Sequence, residues 1–368
     1  MSDALARLRA EIDDVDDALL ALLARRAEIV RGIAAAKRAA GAPSLDPTRE
    51  QRVLERLVAR GAGAFPAEGV RAVWREIMSA SVAMQAPVTV AFLGPLGTYS
   101  HVAARALFGL GARYVEAATI EGVFDAVRRG ASELGVVPLE NSTEGAVTTT
   151  LDALLDGGAR LSREVVIEVS HCLVGRAAGL AEIERVYSHP QALSQCRVWL
   201  AQNLGGAQLV HTASTGAAVR EAMADARGAA IASALSAEMF GVEVLRERVQ
   251  DRAENQTRFA VISRDDARRT GDDKTTVAFS LPDEQERGAL RRALSAVDEC
   301  GVNLTRIESR PSRARAWQYV FVIDVEGHRD DAPVARAIER LGALAHGVTV
   351  LGSYPRFRAP APDQAAPT

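Results

Sequence analysis

The stretch VTVAFLGPLGTYSHVAARALFG, residues 88–109, is where the chain changes character. VTVAFLG, mostly apolar with β-branched and aromatic residues, predicts a strand; GPLGTYS predicts a turn, and HVAARALFG a helix. Alternating strand and helix signals continue from there to about Ile262, the pattern of an α/β domain.

Upstream the pattern is helical. Residues 3–40 contain no proline and only Gly32, with apolar residues at Leu5, Leu8, Ile12, Val15, Leu19, Leu22, Ile29 and Ile33, which predicts one long amphipathic helix. Gly41-Ala-Pro43 stops it. A second helix starts at Asp46-Pro47, an N-cap acid followed by proline at the first helical position, and ends at Gly61 and Gly63. A third runs from about Pro66 to Gln85, with Val70, Trp74, Ile77 and Ser81 on one face, and Pro87 closes the unit.

Downstream, DDARRTGDD (265–273) is polar, without apolar periodicity, and reads as a linker. TTVAFSL, ERGALRRALSAVDEC, VNLTRIESR, QYVFVIDV, PVARAIERLGAL and VTVLGSY then follow as strand, helix, strand, strand, helix and strand, a βαββαβ unit of the ferredoxin-like kind. The tail APAPDQAAPT has nothing to bury and is expected to be disordered. The expected division is 1–86, 87–265, a linker at 266–273, 274–357 and a tail at 358–368.

Composition narrows the function. The 368 residues are 48% hydrophobic and 25% charged, with a formal charge of −3, which suits a globular multidomain protein and not a nucleic-acid binder, whose phosphate contacts need a basic surface. Cys172, Cys196 and Cys300 are far apart without metal-ligand spacing, so neither a disulfide framework nor a zinc site is expected. The charged N-terminus has no signal-peptide core and no stretch is long enough to span a bilayer; a cytoplasmic location without membrane association is the expectation. Lys37 and Lys274 are the two lysines among many arginines.

The first helix places Arg26 where its heptad-spaced apolar series, 5, 12, 19 and 33, calls for a leucine. Lys37 returns to nearly the same face about 16 Å further on. One reading sends both charges along the helix surface to water. Asp46, Arg49 and Glu50 in the first turn of the second helix, and Ser81 and Gln85 extending the third helix's stripe, favour a polar pocket for a small oxygenated anion. Arg9 lies about 25 Å down the first helix, so it can reach such a pocket only from a second chain.

Residues 5–85 resemble the all-helical chorismate mutase family, an intertwined dimer of three-helix chains. The resemblance implies that Arg26 and the Arg9 of a second copy hold the two carboxylates of chorismate, with Ser81 assisting. It further implies that Lys37 and Gln85 donate to the ether oxygen, that Glu50 and Asp46 serve the ring hydroxyl, and that Arg49 supports the pocket. The rearrangement to prephenate needs neither acid, base nor nucleophile, only confinement of a compact conformer and stabilisation of charge on the breaking ether oxygen.

In the α/β segment, GPLGTYS lacks the GK[ST] ending of a phosphate loop, which excludes an NTPase of that kind. Residues 88–263 resemble prephenate dehydratase through GPLGTYS (94–100), PLENS (138–142), SHPQ (188–191), TAST (212–215) and NQTRF (255–259). That implies two lobes like those of periplasmic binding proteins, with Thr257 as the catalytic hydroxyl. Thr98, Asn141, Ser142, Ser214 and Thr215 become substrate contacts, with Arg258 and Phe259 positioning the loop, and Glu140 is either a proton relay or an ion-paired carboxylate. GAL (288–290) and GVNLTRIESRP (301–311) resemble the phenylalanine-binding motifs of an ACT regulatory domain, implicating Gly288, Ala289, Leu290, Asn303, Leu304, Glu308, Ser309, Arg310 and Pro311. The usual first motif reads GALV; Arg291 stands in its fourth place. The implied protein is a homodimer or larger that needs no cofactor or metal, converts chorismate to prephenate and prephenate to phenylpyruvate, and responds to phenylalanine. A dehydratase preferring arogenate and a non-catalytic ligand-binding regulator are the alternatives.

One consequence is testable at once. An amide donates a hydrogen bond at any ordinary pH, whereas a carboxyl group donates only when protonated. Gln85→Glu is therefore expected to confine mutase activity to acidic solution; rates against pH for the two proteins measure this, and equal activity of the variant above and below neutrality would contradict it.

Overall fold

The computed structural model describes residues 2–40, 47–61, 63–252, 254–281, 286–312 and 318–358. The chain divides into two units, Met1–Val88 with Phe108–Arg113, and Thr89–Leu107 with Tyr114–Thr368.

The first unit holds three helices, α1 (Ser2–Ala39), α2 (Pro47–Arg60) and α3 (Ala67–Ala83). The apolar stripe of α1 is not covered: Leu5, Leu8, Ile12, Val15, Leu19, Leu20, Leu22 and Leu23 are 42–66% exposed. Val30 and Ala34 near its C-terminal end are buried, as are Val70 and Met78 on α3. The Ser79 hydroxyl on α3 donates to the Phe108 carbonyl (2.6 Å) and accepts from the Gly111 N–H (2.8 Å), tying the 108–113 segment to this unit.

The second unit begins with a lobe formed from β1 (Thr89–Leu93), α4 (Tyr99–Phe108), β2 (Arg113–Ala117), α5 (Ile120–Arg128), β3 (Leu134–Asn141), β4 (Gly145–Ala146), α6 (Thr148–Leu155) and β5 (Arg160–Glu168). The chain crosses to a second lobe of β6 (Cys172–Gly175), β7 (Arg185–Ser188), α7 (Pro190–Gln195), α8 (Arg197–Asn203), β8 (Gln208–His211), α9 (Thr215–Met223), β9 (Gly228–Ala232), α10 (Ala234–Phe240) and β10 (Glu243–Arg246). It returns as β11 (Gln256–Ser263) into the middle of the first sheet, ordered β2-β1-β3-β11-β5; the second sheet is ordered β10-β6-β9-β7-β8. The two crossings run side by side, joined by the Val169 N–H to the Asn255 carbonyl at 2.7 Å.

The third region is β12 (Asp273–Ser280), α11 (Ala289–Asp298), β13 (Leu304–Pro311), β14 (Tyr319–Glu326), α12 (Ala332–Leu344) and β15 (His346–Pro355), with sheet order β13-β14-β12-β15. Alternation along β12 divides two cores. Val277 and Phe279 join Ala293, Val297, Val334 and Leu341 beneath α11 and α12. Ala278, with Val322, Leu351 and Tyr354, instead packs into the core of the first lobe alongside Ala260 and Ile262 of β11. Strands with a period of two bury one face on each neighbour, so this sheet is covered on both sides. The 265–273 segment read as a linker is structured at its end: Asp273, 1% exposed, accepts from the Thr270 N–H (2.8 Å), the Thr270 hydroxyl (2.6 Å) and the Gly271 N–H (2.9 Å). Among the described residues no helix is long and apolar enough to cross a membrane, and no cluster of three or more His, Cys, Asp or Glu could hold a metal ion. Residues 359–368, the expected tail, lie outside the described residues.

Candidate functional sites

In the helical unit Arg26 and Ser81 come together. The guanidinium donates to the Ser81 hydroxyl, lies 3.5 Å from the Ile77 carbonyl and sits 6.0 Å from the centre of the Trp74 ring. Burial pulls the pKa of Arg26 below its usual value. Gln85, one turn beyond Ser81, donates its amide nitrogen to the Ser81 carbonyl (3.2 Å), while its buried carbonyl oxygen has no hydrogen-bond partner. An amide nitrogen carries two hydrogens, so one remains for a ligand. Lys37 and Glu50 are half-buried; Arg49 and Arg9 are exposed, Arg9 on the uncovered part of α1. Asp46 lies outside the described residues.

The α/β unit puts its chemistry on the β3–β11 pair. Register sets Thr257 opposite Asn141 and Arg258 opposite Glu140. Directly opposed residues share a face and successive ones alternate, so the threonine–asparagine pair and the arginine–glutamate pair face opposite ways. The Asn141 amide nitrogen donates to the Thr257 hydroxyl oxygen at 2.8 Å and to the Asn255 side-chain oxygen at 2.9 Å. Its carbonyl oxygen accepts from the Thr143 and Glu144 N–H groups at 2.9 and 3.2 Å and from the Thr143 hydroxyl at 2.6 Å. Ser142 acts as a stitch: its N–H donates to the Gln256 carbonyl (2.8 Å) and its hydroxyl accepts from the Gln256 N–H (3.0 Å).

The lobes touch through the glycine loop. The Gly97 carbonyl accepts from the Ser233 (3.0 Å) and Ser236 (2.7 Å) hydroxyls at the start of α10. A Cβ at Gly216 would run into the Leu96 carbonyl, so glycine permits α9 to start directly against this loop. Thr98 donates to the Leu93 carbonyl (3.0 Å), and Ser214 caps α9 by accepting from the Ala217 N–H (3.0 Å). Thr215, the first residue of α9, is half-buried. Gln191 of α7 donates to Glu144 at 2.5 Å, a second bridge between lobes.

Three further residues of these motifs lie on or beneath the opposite face. The Arg258 guanidinium donates to Glu164 (2.7 Å), Asp324 (2.8 Å) and the Tyr354 hydroxyl (3.0 Å), on the face covered by the C-terminal sheet. Phe259 is core, 2% exposed. Glu140 is ion-paired, 3.6 Å from Arg258 and 3.1 Å from Arg306 of β13. Lys274 completes the cluster, 3.0 Å from Glu164. Burial opposes the charge on Arg258, but Tyr354, Asp324 and Glu164 raise its pKa well above the usual value. Burial likewise opposes ionisation of Asp324, and Arg258 and the Thr276 hydroxyl outweigh it, lowering its pKa.

The phenylalanine motifs sit at the start of α11 and along β13, an edge strand. Gly288 holds φ +77° as the N-cap of α11, with Ala289 buried and Leu290 half-buried behind it. Asn303, Ser309 and Pro311 are exposed and Leu304 and Glu308 half-buried. Arg310 is engaged elsewhere, donating to Asp152 of α6 at 2.9 and 3.0 Å, so β13 reaches the first lobe through both Arg306 and Arg310.

Sequence reasoning passed over His171, Gln195 and Asn255. The hydrogen bond from Asn255 to Gln195 spans 3.3 Å and that between Gln195 and His171 spans 2.8 Å. Asn255 and Gln195 stood inside quoted segments, NQTRF and SHPQALSQC, and their buried polar amides were the available signal. Nothing in the sequence around His171 separates it from a core histidine.

Three families match the chain in succession: chorismate mutase type II over residues 8–86, prephenate dehydratase over 90–267 and the ACT domain over 275–343. A bifunctional chorismate mutase/prephenate dehydratase of Aquifex aeolicus is 39% identical over 356 residues, 96% of this chain and 98% of the relative. The structure of a prephenate dehydratase from Arthrobacter aurescens in complex with L-Phe is 39% identical and covers 73% of this chain and 90% of that one, with a TM-score of 0.67. A structure described as GqqA, a novel type of quorum quenching acylase, is 34% identical over 73% of this chain and 97% of its own, with a TM-score of 0.65.

Removing one partner of a buried ion cluster leaves charges without compensation, at a cost of about 3–5 kcal/mol. Arg258→Ala, which strands Glu164 and Asp324, is expected to lower the unfolding free energy by that amount, read from urea denaturation; a loss under about 1 kcal/mol would show that the cluster does not hold the two sheets together.

Proposed function

The chain belongs to the bifunctional chorismate mutase/prephenate dehydratase family, and we propose that Thr257 supplies the hydrogen bond that releases the ring hydroxyl of prephenate. As a member it rearranges chorismate to prephenate, converts prephenate to phenylpyruvate and responds to phenylalanine through its ACT domain. The dehydration reading rests on the Asn141–Thr257 bond: the threonine oxygen accepts from an amide, so its own hydrogen is free to be donated. In the reaction the electron pair of the ring-carboxylate C–C bond moves into the ring as carbon dioxide leaves. The C–O bond to the ring hydroxyl breaks with its pair, and one proton makes the departing group water. A hydrogen bond at that oxygen, weak to the ground state's neutral hydroxyl and strongest as charge develops, is what the protein adds. The start of α9, with its backbone N–H groups, suits a substrate carboxylate.

In the helical unit the same reading has Arg26, Ser81, Lys37, Gln85, Glu50, Asp46 and Arg49 around chorismate, with Arg9 coming from a second copy. The uncovered leucine and isoleucine stripe of α1 supports an intertwined homodimer, since a second helix of the same kind would cover it. The domain limits 1–86, 87–265 and 274–357, a ferredoxin-like ACT unit and a cytoplasmic location complete the proposal.

Phenylalanine held by residues 288–290 and 303–311 would act through β13. Arg306 on that strand pairs with Glu140, and the next residue of β3 is Asn141, which orients Thr257.

Two outcomes follow. Thr257→Ala is expected to reduce phenylpyruvate formation by at least about 100-fold and leave the mutase rate unchanged, as the two chemistries use separate residues; an active variant would move the donor elsewhere. Arg306→Met is expected to weaken phenylalanine inhibition while retaining the uninhibited dehydratase rate, measured as rate against phenylalanine concentration. An unchanged inhibition curve would mean that Glu140 does not transmit the signal.

A further inference from the structure

We propose that His171 is a positioning residue for the dehydration, acting through a directed chain of hydrogen bonds that reaches Thr257 from the other lobe. His171 stands immediately before β6, 2% exposed, where the chain has just crossed between lobes. Its backbone is fixed on both sides: its N–H donates to Gln250 (3.0 Å) and its carbonyl accepts from the Val249 N–H (2.9 Å). The imidazole Nε2 lies 2.8 Å from the Gln195 side-chain oxygen, the Asn255 amide nitrogen donates to that same oxygen (3.3 Å), and the Asn255 oxygen accepts from Asn141, which also donates to Thr257.

The direction of every link is set by one unambiguous end. Backbone N–H groups of Thr143 and Glu144 can only donate, so the Asn141 oxygen must face them and its nitrogen must face Thr257 and Asn255. Asn255 therefore turns its oxygen to Asn141 and its nitrogen to Gln195. The Gln195 oxygen must then receive from both sides, which requires a hydrogen on His171 Nε2. The far ring nitrogen is then an acceptor, and the Tyr99 hydroxyl, 2.6 Å from the Ser170 carbonyl and 3.3 Å from that nitrogen, directs its hydrogen to this pair of acceptors. Burial lowers the pKa of His171, which favours the neutral ring, and the Gln195 oxygen places its hydrogen on Nε2. His171 and Gln195 belong to the second lobe and Asn141 and Thr257 to the first, so the chain is complete only while the lobes hold this relative placement. An apolar side chain at 171 would leave the Gln195 amide free to turn over, Asn255 with it, and Asn141 with one fewer anchor behind the donor.

This inference rests on Thr257 as the donor, and the test separates the two. His171→Leu removes the Nε2 donor; His171→Gln places an amide nitrogen close to where Nε2 lies. In the full-length protein, His171→Leu is expected to lower the dehydratase kcat by about 10- to 100-fold with little change in KM for prephenate, and His171→Gln to restore most of it. Equal losses in the two variants, or an unchanged kcat in His171→Leu, would overturn the proposal. Thermal unfolding checks the fold of each; should His171→Leu fail to fold, Asn255→Asp decides, because it keeps the acceptor for Asn141 and removes the donor to Gln195. A wild-type kcat there would also overturn the proposal. If Thr257→Ala is inactive while these variants are normal, the chain of bonds alone is wrong; if Thr257→Ala is active, the donor assignment is.

Discussion

The pairing of β3 with β11 is the constraint on which the catalytic unit depends. β11 is the returning strand, and it enters the first sheet between β3 and β5 after the chain has built the whole second lobe. One register step places Thr257 against Asn141, and the next places Arg258 against Glu140. A slip of one residue would exchange the faces, pointing the threonine into the interface with the C-terminal sheet and the arginine to the opposite face. The buried ion cluster opposes such a slip, because Arg258 finds Glu164, Asp324 and Tyr354 together in only one register.

That cluster also explains why a regulatory sheet and a catalytic sheet can share one core. Most of their contact is apolar, through Ala278, Val322, Leu351 and Tyr354 against Ala260 and Ile262, and apolar contact alone fixes relative orientation poorly. Arg258, Lys274, Glu164 and Asp324 add directional bonds at low exposure. The net energy of such a group over an apolar substitute is small, while the loss on breaking it is large, so its contribution is to placement. The helical unit shows the opposite condition. Its α1 stripe has nothing of its own chain over it, and a helix of 38 residues is not kept by propensity alone when its apolar face is wet.

The two lobes meet through small residues, backbone groups and side-chain amides: Gly97, Gly216, Ser233 and Ser236 at one contact, Asn255 and Gln195 at another. Hydrogen bonds of this kind contribute little net stability each, about 0.5–1.5 kcal/mol, but are costly to leave unmade when buried. They therefore specify a relative placement of the lobes and permit its loss when water or substrate replaces a partner.

The sequence by itself determined the order of helices and strands, the change of pattern at Val88, the candidate residues of three sites and their families, because period, turn chemistry and motif spacing are local properties of a chain. It also singled out Lys274 as unusual without saying why. Tertiary structure decided which way neighbouring residues of a motif point. Thr257 and Arg258 are adjacent letters of one segment, yet one bonds with Asn141 and the other, on the opposite face, joins a buried ion cluster whose partners, Glu164 and Asp324, lie far away along the chain. For the same reason the sequence did not disclose that Glu140 pairs with Arg306, or Arg310 with Asp152. The bonds through His171, Gln195 and Asn255 join three segments separated in sequence, and direction along them exists only once backbone N–H groups of Thr143 and Glu144 are in place. Face and partner are set by register and by the return of β11, and neither is a local property of the chain.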